Sequence, residues 1–336
     1  MKKPQVLVIG NGMNRAFGCD SWNNFIKDIA KETSGRTDLP DEMKAPMPMQ
    51  AIIASKDALD CYFNSEKKGA VSTGKEKQEG RREKFYGFIK DEAQAKVVSG
   101  ILGVGANHII TTNYSYELEM VTRPDYRITD QYLKKMMRCT KGNGSARAEA
   151  RYLIHTYNEV QFQGKKTPIW HIHGEARKPN SMIMGHYYYG SLLTKIKEYS
   201  DRNCSRFSDK YRKNTAIEIN SWIDAFILGD VYFLGIGMDM SELDLWWLIN
   251  RKKREKAPTG NIYYFEPSSG EAAFNEKYEL FRAMEKEGMK VEIRDCGVTI
   301  NGKTDDEKNR QYQLFYQKAA DEIKSIISNN TNSMKE

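Results

Sequence analysis

An α/β fold is predicted for this chain, and two features of the sequence predict it. Short apolar runs of the kind that form buried parallel strands alternate with longer segments whose apolar residues recur at helical spacing. Glycine turns follow two of these runs, at Gly10-Asn11-Gly12 and at Gly235-Ile236-Gly237. This alternation favours a Rossmann-like parallel sheet flanked by helices. The predicted strands cover residues 6–9, 109–112, 168–173, 181–185, 231–234, 262–265 and 291–293.

The predicted helices lie between and after these strands. The helix over residues 311–327 is an example, because Phe315, Ala319 and Ile323 fall on one face of it. Ser241 is predicted to cap another helix, with Asp244 three residues later as in a capping box. The remaining predicted helices cover residues 22–30, 85–98, 187–199 and 216–228.

The length of 336 residues indicates one large α/β domain with insertions. We assign it to residues 1–330, with helical insertions over about 41–100 and 120–163, and predict a disordered polar tail over 331–336. Hydrophobic residues make up 40% and charged residues 29%, as expected for a globular protein.

Several protein classes are excluded by composition. No apolar run approaches the length of a membrane span, and the first residues lack the apolar core of a signal peptide, so the cytoplasm is the expected location. The five cysteines are scattered without a CxxC pair, which argues against a zinc ribbon and a disulfide framework. The net charge of +7 permits a phosphate ligand or an acidic partner. Nucleic acid is not expected, because the basic loop over residues 65–84 has no aromatic residue for base stacking.

The first glycine turn is a candidate phosphate site. A strand, a glycine turn and a helix bring backbone N–H groups and a helix N-terminus against phosphate. The segment Gly10-Asn11-Gly12-Met13 is neither a full GxGxxG motif nor a Walker A motif. A plain tight turn is therefore an equally good interpretation of it.

Asn113 follows the predicted strand over residues 109–112. In an open α/β sheet, ligands bind in the crevice beyond the carboxyl ends of the strands. An asparagine there offers a donor and an acceptor to a ligand. The alternative is an asparagine that caps the next turn or helix.

Two histidines stand near the end of another predicted strand. His171 and His173 point to the same side of a regular strand, so either could face the crevice. His173 is preferred because it directly precedes Gly174. A hydrogen-bonded core histidine is the alternative interpretation for both.

Four segments in this order resemble the SIR2-like family: Gly10-Asn11-Gly12, Thr111-Thr112-Asn113-Tyr114, His173-Gly174 and the turn over residues 235–239. That family has a glycine loop after the first strand, a Thr-x-Asn segment, a His-Gly pair and a later glycine turn. The similarity is closest to bacterial SIR2-like proteins of phage defence, and the first two segments are also similar to AbiH abortive-infection proteins. It covers roughly residues 6–267, without the inserted helices.

The resemblance implies that the chain binds NAD as its substrate and cleaves the bond between nicotinamide and ribose, without a metal. Asn113 would hold the ribose or the attacking water, and His173 would be the general base. Glu266 follows the predicted strand over residues 262–265, at a strand end where a carboxylate commonly holds ribose hydroxyls. The residues that would bind the rest of NAD are Gly10, Asn11, Gly12, Met13, Thr112, Gly235, Gly237 and Met238.

Two departures from the family pattern narrow the function. The chain lacks the paired cysteines of sirtuin deacylases, so protein deacylation is not expected. Ser115 stands where the family usually has an aspartate after Asn-Tyr, which favours slightly the alternative of a non-catalytic sensor of NAD or ADP-ribose that acts through a partner protein. The leading hypothesis is an NAD-depleting effector of phage defence. Such an enzyme must be restrained, so we expect a homo-oligomer and a regulatory partner, for example a defence-system ATPase.

Overall fold

The computed structural model of the chain describes residues 3–18, 22–40, 49–50, 85–141, 149, 151–213, 215, 217–268 and 275–332. The strands are β1 (Gln5–Ile9), β2 (His108–Thr111), β3 (Met137–Cys139), β4 (Thr156–Phe162), β5 (Lys165–His171), β6 (Asp230–Leu234), β7 (Ile262–Ser268) and β8 (Val291–Thr299). The helices are α1 (Gly12–Arg15), α2 (Trp22–Ser34), α3 (Glu92–Leu102), α4 (Glu117–Met120), α5 (Asp130–Met136), α6 (His186–Arg212), α7 (Trp222–Leu228), α8 (Leu243–Lys253), α9 (Glu276–Ala283) and α10 (Asp305–Asn332).

One eight-stranded sheet organises the molecule, in the order β3-β4-β5-β2-β1-β6-β7-β8. The strands from β5 to β8 in this order are parallel to their neighbours, whereas β3 and β4 pair antiparallel at one edge. The sheet is flanked by helices, so the predicted α/β, Rossmann-like fold is confirmed.

Alternate residues of β1 line the two faces of the sheet. Val6 and Val8 pack into a cluster with residues of α6, α7 and α8, whereas Leu7 and Ile9 pack against α3 and α10. Every residue of β1 is buried. Helices on both faces therefore explain why this strand is a continuous apolar run rather than an alternating one.

β1 divides the sheet into two halves: β2 to β5 lie on one side of it, and β6 to β8, which follow β5 in the chain, lie on the other. The connection from β1 leads to β2 on one side, while β6 pairs with β1 on the other. This reversal of strand order is the kind of switch point at which α/β proteins bind ligands. The turns that follow β1 and β6 lie next to each other there.

The predicted helical insertion over residues 120–163 is wrong in part. It contains α5, but also the strands β3 and β4. In β4 the buried positions alternate with more exposed ones, yet two of those buried residues are Thr156 and Asn158. Because polar residues occupy the buried face, the period of a strand was not visible as hydrophobic alternation.

Other predicted boundaries shift where side chains cap a helix. The helix predicted over residues 85–98 begins at Glu92, because the side chain of Asp91 accepts a hydrogen bond from the N–H of Gln94. The helix predicted over 216–228 begins at Trp222 for the same reason, with Ser221 as its cap.

Three further predictions are corrected. No strand forms over residues 181–185; a 3₁₀ turn covers Pro179–Ser181 instead. Ser241 is not a helix cap, since its hydroxyl donates to Asp239 and α8 begins after Glu242. The tail was predicted to be disordered from residue 331, but α10 continues to Asn332.

Some predictions lie outside the described residues. These are residues 41–48 and 51–84 of the first predicted insertion, which include the basic loop over 65–84, and the tail over 333–336. Among the helices that the structure does describe, none combines the length and the apolar character needed to cross a membrane.

We predict that Lys252→Met destabilises the fold. The ammonium group of Lys252 is fully buried and donates to the carbonyls of Phe226 and Ile227 at the end of α7, at 3.1 and 3.0 Å. Methionine keeps the apolar stem but leaves these acceptors unpaired, which costs about 2 to 4 kcal/mol in free energy of unfolding. Urea denaturation measures the loss. Lys256→Met, at an exposed position of the same region, is the matched control and an equal effect there would contradict the prediction.

Candidate active site

The predicted site segments come together at one edge of the sheet. The strands β5, β2, β1, β6 and β7 are neighbours and run parallel, so their carboxyl ends, and the residues that follow, lie side by side. The order along this edge places the segment after His171 beside that after Thr111, and the two glycine turns beside each other. Four motifs that are far apart in sequence are therefore adjacent in the fold.

The two glycine turns pack directly against each other. The N–H of Gly10 donates to the carbonyl of Leu234 at 3.2 Å, and that of Gly12 donates to the carbonyl of Gly235 at 3.0 Å. A Cβ on Gly10 would lie 2.7 Å from the carbonyl oxygen of Gly235, and one on Gly12 would lie 2.6 Å from the hydroxyl of Tyr316. Close approach of two backbones thus accounts for these glycines, and both N–H groups are engaged within the protein.

The other predicted NAD-binding residues differ in exposure. The side chains of Met13 and Met238 are buried in the hydrophobic core. Asn11 and Gly237 are exposed at the tips of their turns, and Thr112 is half-buried. A ligand at this edge would therefore meet the tips of the turns and not the methionine side chains.

Asn113 is held by its backbone. Its N–H donates to the hydroxyl of Thr111 at 3.0 Å, and its carbonyl accepts from Nδ1 of His171 at 2.8 Å. Its side-chain amide makes no hydrogen bond with any residue that the structure describes, although the residue is only 9% exposed. The backbone of Asn113 is therefore fixed, and its side-chain amide keeps its donor and acceptor available to a ligand.

His171 belongs to a buried hydrogen-bond network. Its Nε2 lies 2.9 Å from a carboxylate oxygen of Glu119, which also accepts from Asn158 at 3.0 Å. Both ring nitrogens thus face acceptors that carry no proton, so both must donate and the ring is an imidazolium. Burial lowers the pKa of His171, but Glu119 outweighs burial and raises that pKa to about 9.

The network continues away from the sheet edge. Glu175 accepts hydrogen bonds from Tyr116 at 3.2 Å and Arg177 at 3.3 Å, and Asn158 reaches it at 3.4 Å. Glu119 and Glu175 are buried, so the imidazolium and the guanidinium balance their charge. His171 is consequently a structural residue that clamps Asn113.

His173 has a different environment. Its Nε2 lies 2.8 Å from Oδ2 of Asp244, in the first turn of α8, and its Nδ1 lies 3.4 Å from the hydroxyl of Tyr189. A tyrosine hydroxyl can donate as well as accept, so this ring is satisfied whether it is neutral or charged. Burial lowers the pKa of His173, but Asp244 and Glu242 together outweigh burial, so the pKa is raised above its ordinary value. Of the two histidines, His173 is the one able to exchange a proton.

Asn113 and His173 are linked through a shared neighbour. The N–H of Ile183 donates to the carbonyl of His173 at 2.7 Å, and the hydroxyl of Tyr114, next to Asn113, donates to the carbonyl of Ile183 at 3.0 Å. The chain after β5 also runs beside the end of β2, with Ile172 N–H donating to the carbonyl of Thr111.

Glu242 is a second carboxyl group beside His173. Burial raises the pKa of Glu242 to about 7, with His173 acting in the opposite direction. One potential metal-ligand atom each from His173, Glu242 and Asp244 lie within 4.8 Å of one another. Sequence analysis missed Glu242, Asp244 and Tyr189 as site residues. The spacing of Ser241 and Asp244 imitated a capping box, and Tyr189 lay within the predicted helix over 187–199 with no motif to single it out.

A carboxyl group also lies next to Ser115, where the family pattern has aspartate. The hydroxyl of Ser115 donates to Glu117 at 2.6 Å, and the side chain of Asn14 is a further donor to Glu117. Burial raises the pKa of Glu117 to about 7. The serine therefore positions a buried carboxyl group that the sequence pattern did not single out.

Glu266 lies at the same edge but is engaged by neighbouring side chains. It accepts hydrogen bonds from Tyr278 and Lys277 and from the hydroxyl of Tyr264 at 2.9 Å. The same hydroxyl lies 3.0 Å from the carbonyl of Ile236 in the second glycine turn. Its charge is thus balanced by Lys277, and it supports that turn.

We predict that His171 makes the stability of the protein depend on pH. The pKa of His171 is about 9 in the folded state, against 6.5 for an ordinary histidine. Its stabilising contribution is therefore complete below pH 6.5 and is lost as the pH rises through 9. Between these values we expect the free energy of unfolding of the wild type to fall by about 1 to 3 kcal/mol more than that of His171→Gln. Denaturation at several pH values measures this. The exposed His186→Gln should keep the wild-type slope, and equal slopes for all three proteins would refute the assignment.

No protein-family model matches the chain, and no curated protein shows significant similarity to it. The SIR2-like resemblance therefore rests on the four motifs alone, and the chemistry of the site must be inferred from the residues themselves.

Proposed function

We propose that this protein is an NAD glycohydrolase of the SIR2-like type, which cleaves NAD to nicotinamide and ADP-ribose. The single observation that supports this most is the buried hydrogen-bonded pair of His173 and Asp244, since His173 follows β5 and Asn113 follows the neighbouring strand β2. A base held by a carboxylate and a fixed amide are the groups that hydrolysis of an N-glycosidic bond requires.

The reaction breaks the bond between C1′ of the ribose and the pyridinium nitrogen. The electron pair of that bond goes to the nicotinamide, which leaves as a neutral molecule, and C1′ develops oxocarbenium character. Water attacks C1′ and its proton passes to the base. The Nε2–H of neutral His173 donates to Asp244, so Nδ1 is the nitrogen that accepts this proton.

Asn113 has the role of orienting the attacking water or the ribose in this proposal. An amide can donate and accept at the same time and does not titrate, so it positions a ligand at every pH of interest. The hydrogen bond from His171 to the carbonyl of Asn113 fixes the backbone from which the amide side chain extends.

We predict that Asn113→Ala and His173→Ala each reduce nicotinamide release from NAD by at least about 100-fold. The first variant removes the group that orients the reactants, and the second removes the base. Nicotinamide is measured by chromatography with purified protein, with and without lysate of phage-infected cells as the source of an activator. His108→Gln is the matched control, since His108 begins β2 at the opposite end of the sheet. Undiminished release by both alanine variants would reject the proposal.

We predict that Asp244→Asn changes the pH profile of the reaction as well as its rate. Asp244 raises the pKa of His173, so its removal lowers that pKa and moves the acidic limb of the profile to lower pH. The rate at the optimum falls by about 100-fold or more, because asparagine does not fix the tautomer of the ring. The measurement is kcat/KM as a function of pH. Asp201→Asn, on an exposed part of α6, should leave both the limb and the rate unchanged.

A second candidate function is a sensor that binds NAD or ADP-ribose without turnover. One observation favours it: the reactive nitrogen of His173 faces Tyr189, so that the hydroxyl of Tyr189 must move before water can reach it. Calorimetry separates the two functions. Tight NAD binding with no nicotinamide released under any activating condition supports the sensor.

The biological setting that we propose is bacterial phage defence, in which the cytoplasmic enzyme depletes NAD when triggered. Because unrestrained NAD hydrolysis is harmful to the cell, the proposal includes control by self-assembly or by a regulatory protein such as an ATPase. The measurement of nicotinamide release with infected lysate addresses this control directly.

A further inference from the structure

Asp244 and Glu242 lie beside the proposed base, and Asp239 acts on Glu242. Asp239, Glu242 and Asp244 lie in or just before the first turn of α8, and the charges that act on Glu242 come from His173, Asp244 and Asp239. No lysine or arginine is among them. This contrasts with Glu175 and Glu266, whose carboxylates each contact a cationic side chain.

Two oxygen atoms in this group have no partner within the described part of the chain. They are Oδ1 of Asp244 and Oε2 of Glu242, and both atoms are buried. Asp244 itself is only 1% exposed. A buried carboxylate oxygen without a hydrogen bond or a counter-charge is unfavourable, so each of these two atoms remains able to accept a hydrogen bond or attract a positive charge.

The charge of the group depends on the state of His173. When the ring of His173 is an imidazolium, its positive charge balances the carboxylate of Asp244. The negative charge of Glu242 is then not balanced. With the neutral ring that a general base requires, neither carboxyl group has a cation beside it. A positively charged ligand is therefore most favoured in the state of the site that is ready for catalysis.

We propose that Glu242 is a specificity-determining residue that selects the positively charged pyridinium form of the nicotinamide ring over a neutral ring. This inference rests on the proposed function, since the ring of NAD carries its charge one bond from the carbon that water attacks. Glu242, supported by Asp239 and Asp244, attracts that charge in the ground state. The same carboxylates stabilise the oxocarbenium carbon to which the charge passes.

The experiment uses two fragments that differ by one methyl group on the ring nitrogen, 1-methylnicotinamide, which is a cation, and nicotinamide, which is neutral. Their binding to the 336-residue chain is measured by ligand-observed NMR titration at pH 8. Neither fragment contains a glycosidic bond, so no turnover takes place. We expect the cation to bind about tenfold more tightly than the neutral amide. Glu242→Gln and the exposed Asp239→Asn should reduce this ratio, whereas Glu266→Gln should keep it because Lys277 already balances Glu266. Circular dichroism confirms that each variant is folded.

The outcomes separate this inference from the proposed function. Equal binding of the two fragments, or a ratio unchanged in Glu242→Gln, overturns the inference even if NAD is hydrolysed. If the preference for 1-methylnicotinamide depends on Glu242 but the protein does not hydrolyse NAD, the inference is supported and only the hydrolase proposal is rejected. Tight binding of Zn²⁺ or Mn²⁺ that is lost in Glu242→Gln, with no preference for 1-methylnicotinamide, overturns the inference in favour of a metal site.

Discussion

The geometry of this site depends on the hydrogen bonds of a single buried imidazolium ring. His171 ends β5, donates to the carbonyl of Asn113 beyond β2, and is paired with the buried carboxylate of Glu119. The parallel ladder between β2 and β5 stops at Thr111 and His171, and the bond from this ring carries the contact between the two chain segments on to the backbone of Asn113. A charge buried at this point costs free energy by itself, and Glu119 offsets that cost. The result is a fixed backbone at Asn113, whose side-chain amide makes no hydrogen bond within the described part of the chain.

Two histidines that are separated by one residue serve opposite purposes because the strand ends between them. A regular strand would direct both rings to the same side. Since β5 ends at His171, the chain turns and directs His173 toward α8, where Asp244 receives it. One ring is held by two acceptors and cannot release its proton without loss of structure. The other lies between a carboxylate and a hydroxyl, and can exist in either protonation state.

The glycines of the first turn at this sheet edge are explained by packing against the second turn. The turn at Gly10-Asn11-Gly12 is closely packed against Gly235, and two of its N–H groups bond to the neighbouring turn. Glycine is needed there because two backbones pass closer than a Cβ allows. Only the exposed tips of the turns remain for a ligand. At this edge, the carboxyl groups of Glu242 and Asp244 each keep a buried oxygen that has no hydrogen-bond partner among the described residues.

The sequence by itself determined the fold class, and with it which residues lie at the carboxyl edge of the sheet. Strands such as β1 and β6 are continuous apolar runs because helices cover both faces, and the polar residue after each parallel strand lies at the carboxyl edge in any such sheet. Only the tertiary structure decided which histidine can act as a base, and that Asp244 is its partner. These decisions depend on contacts between residues more than fifty positions apart, and local periodicity carries no information about such contacts. For the same reason β4 was not recognised, since its buried polar residues are paired by a network that forms only in the folded protein.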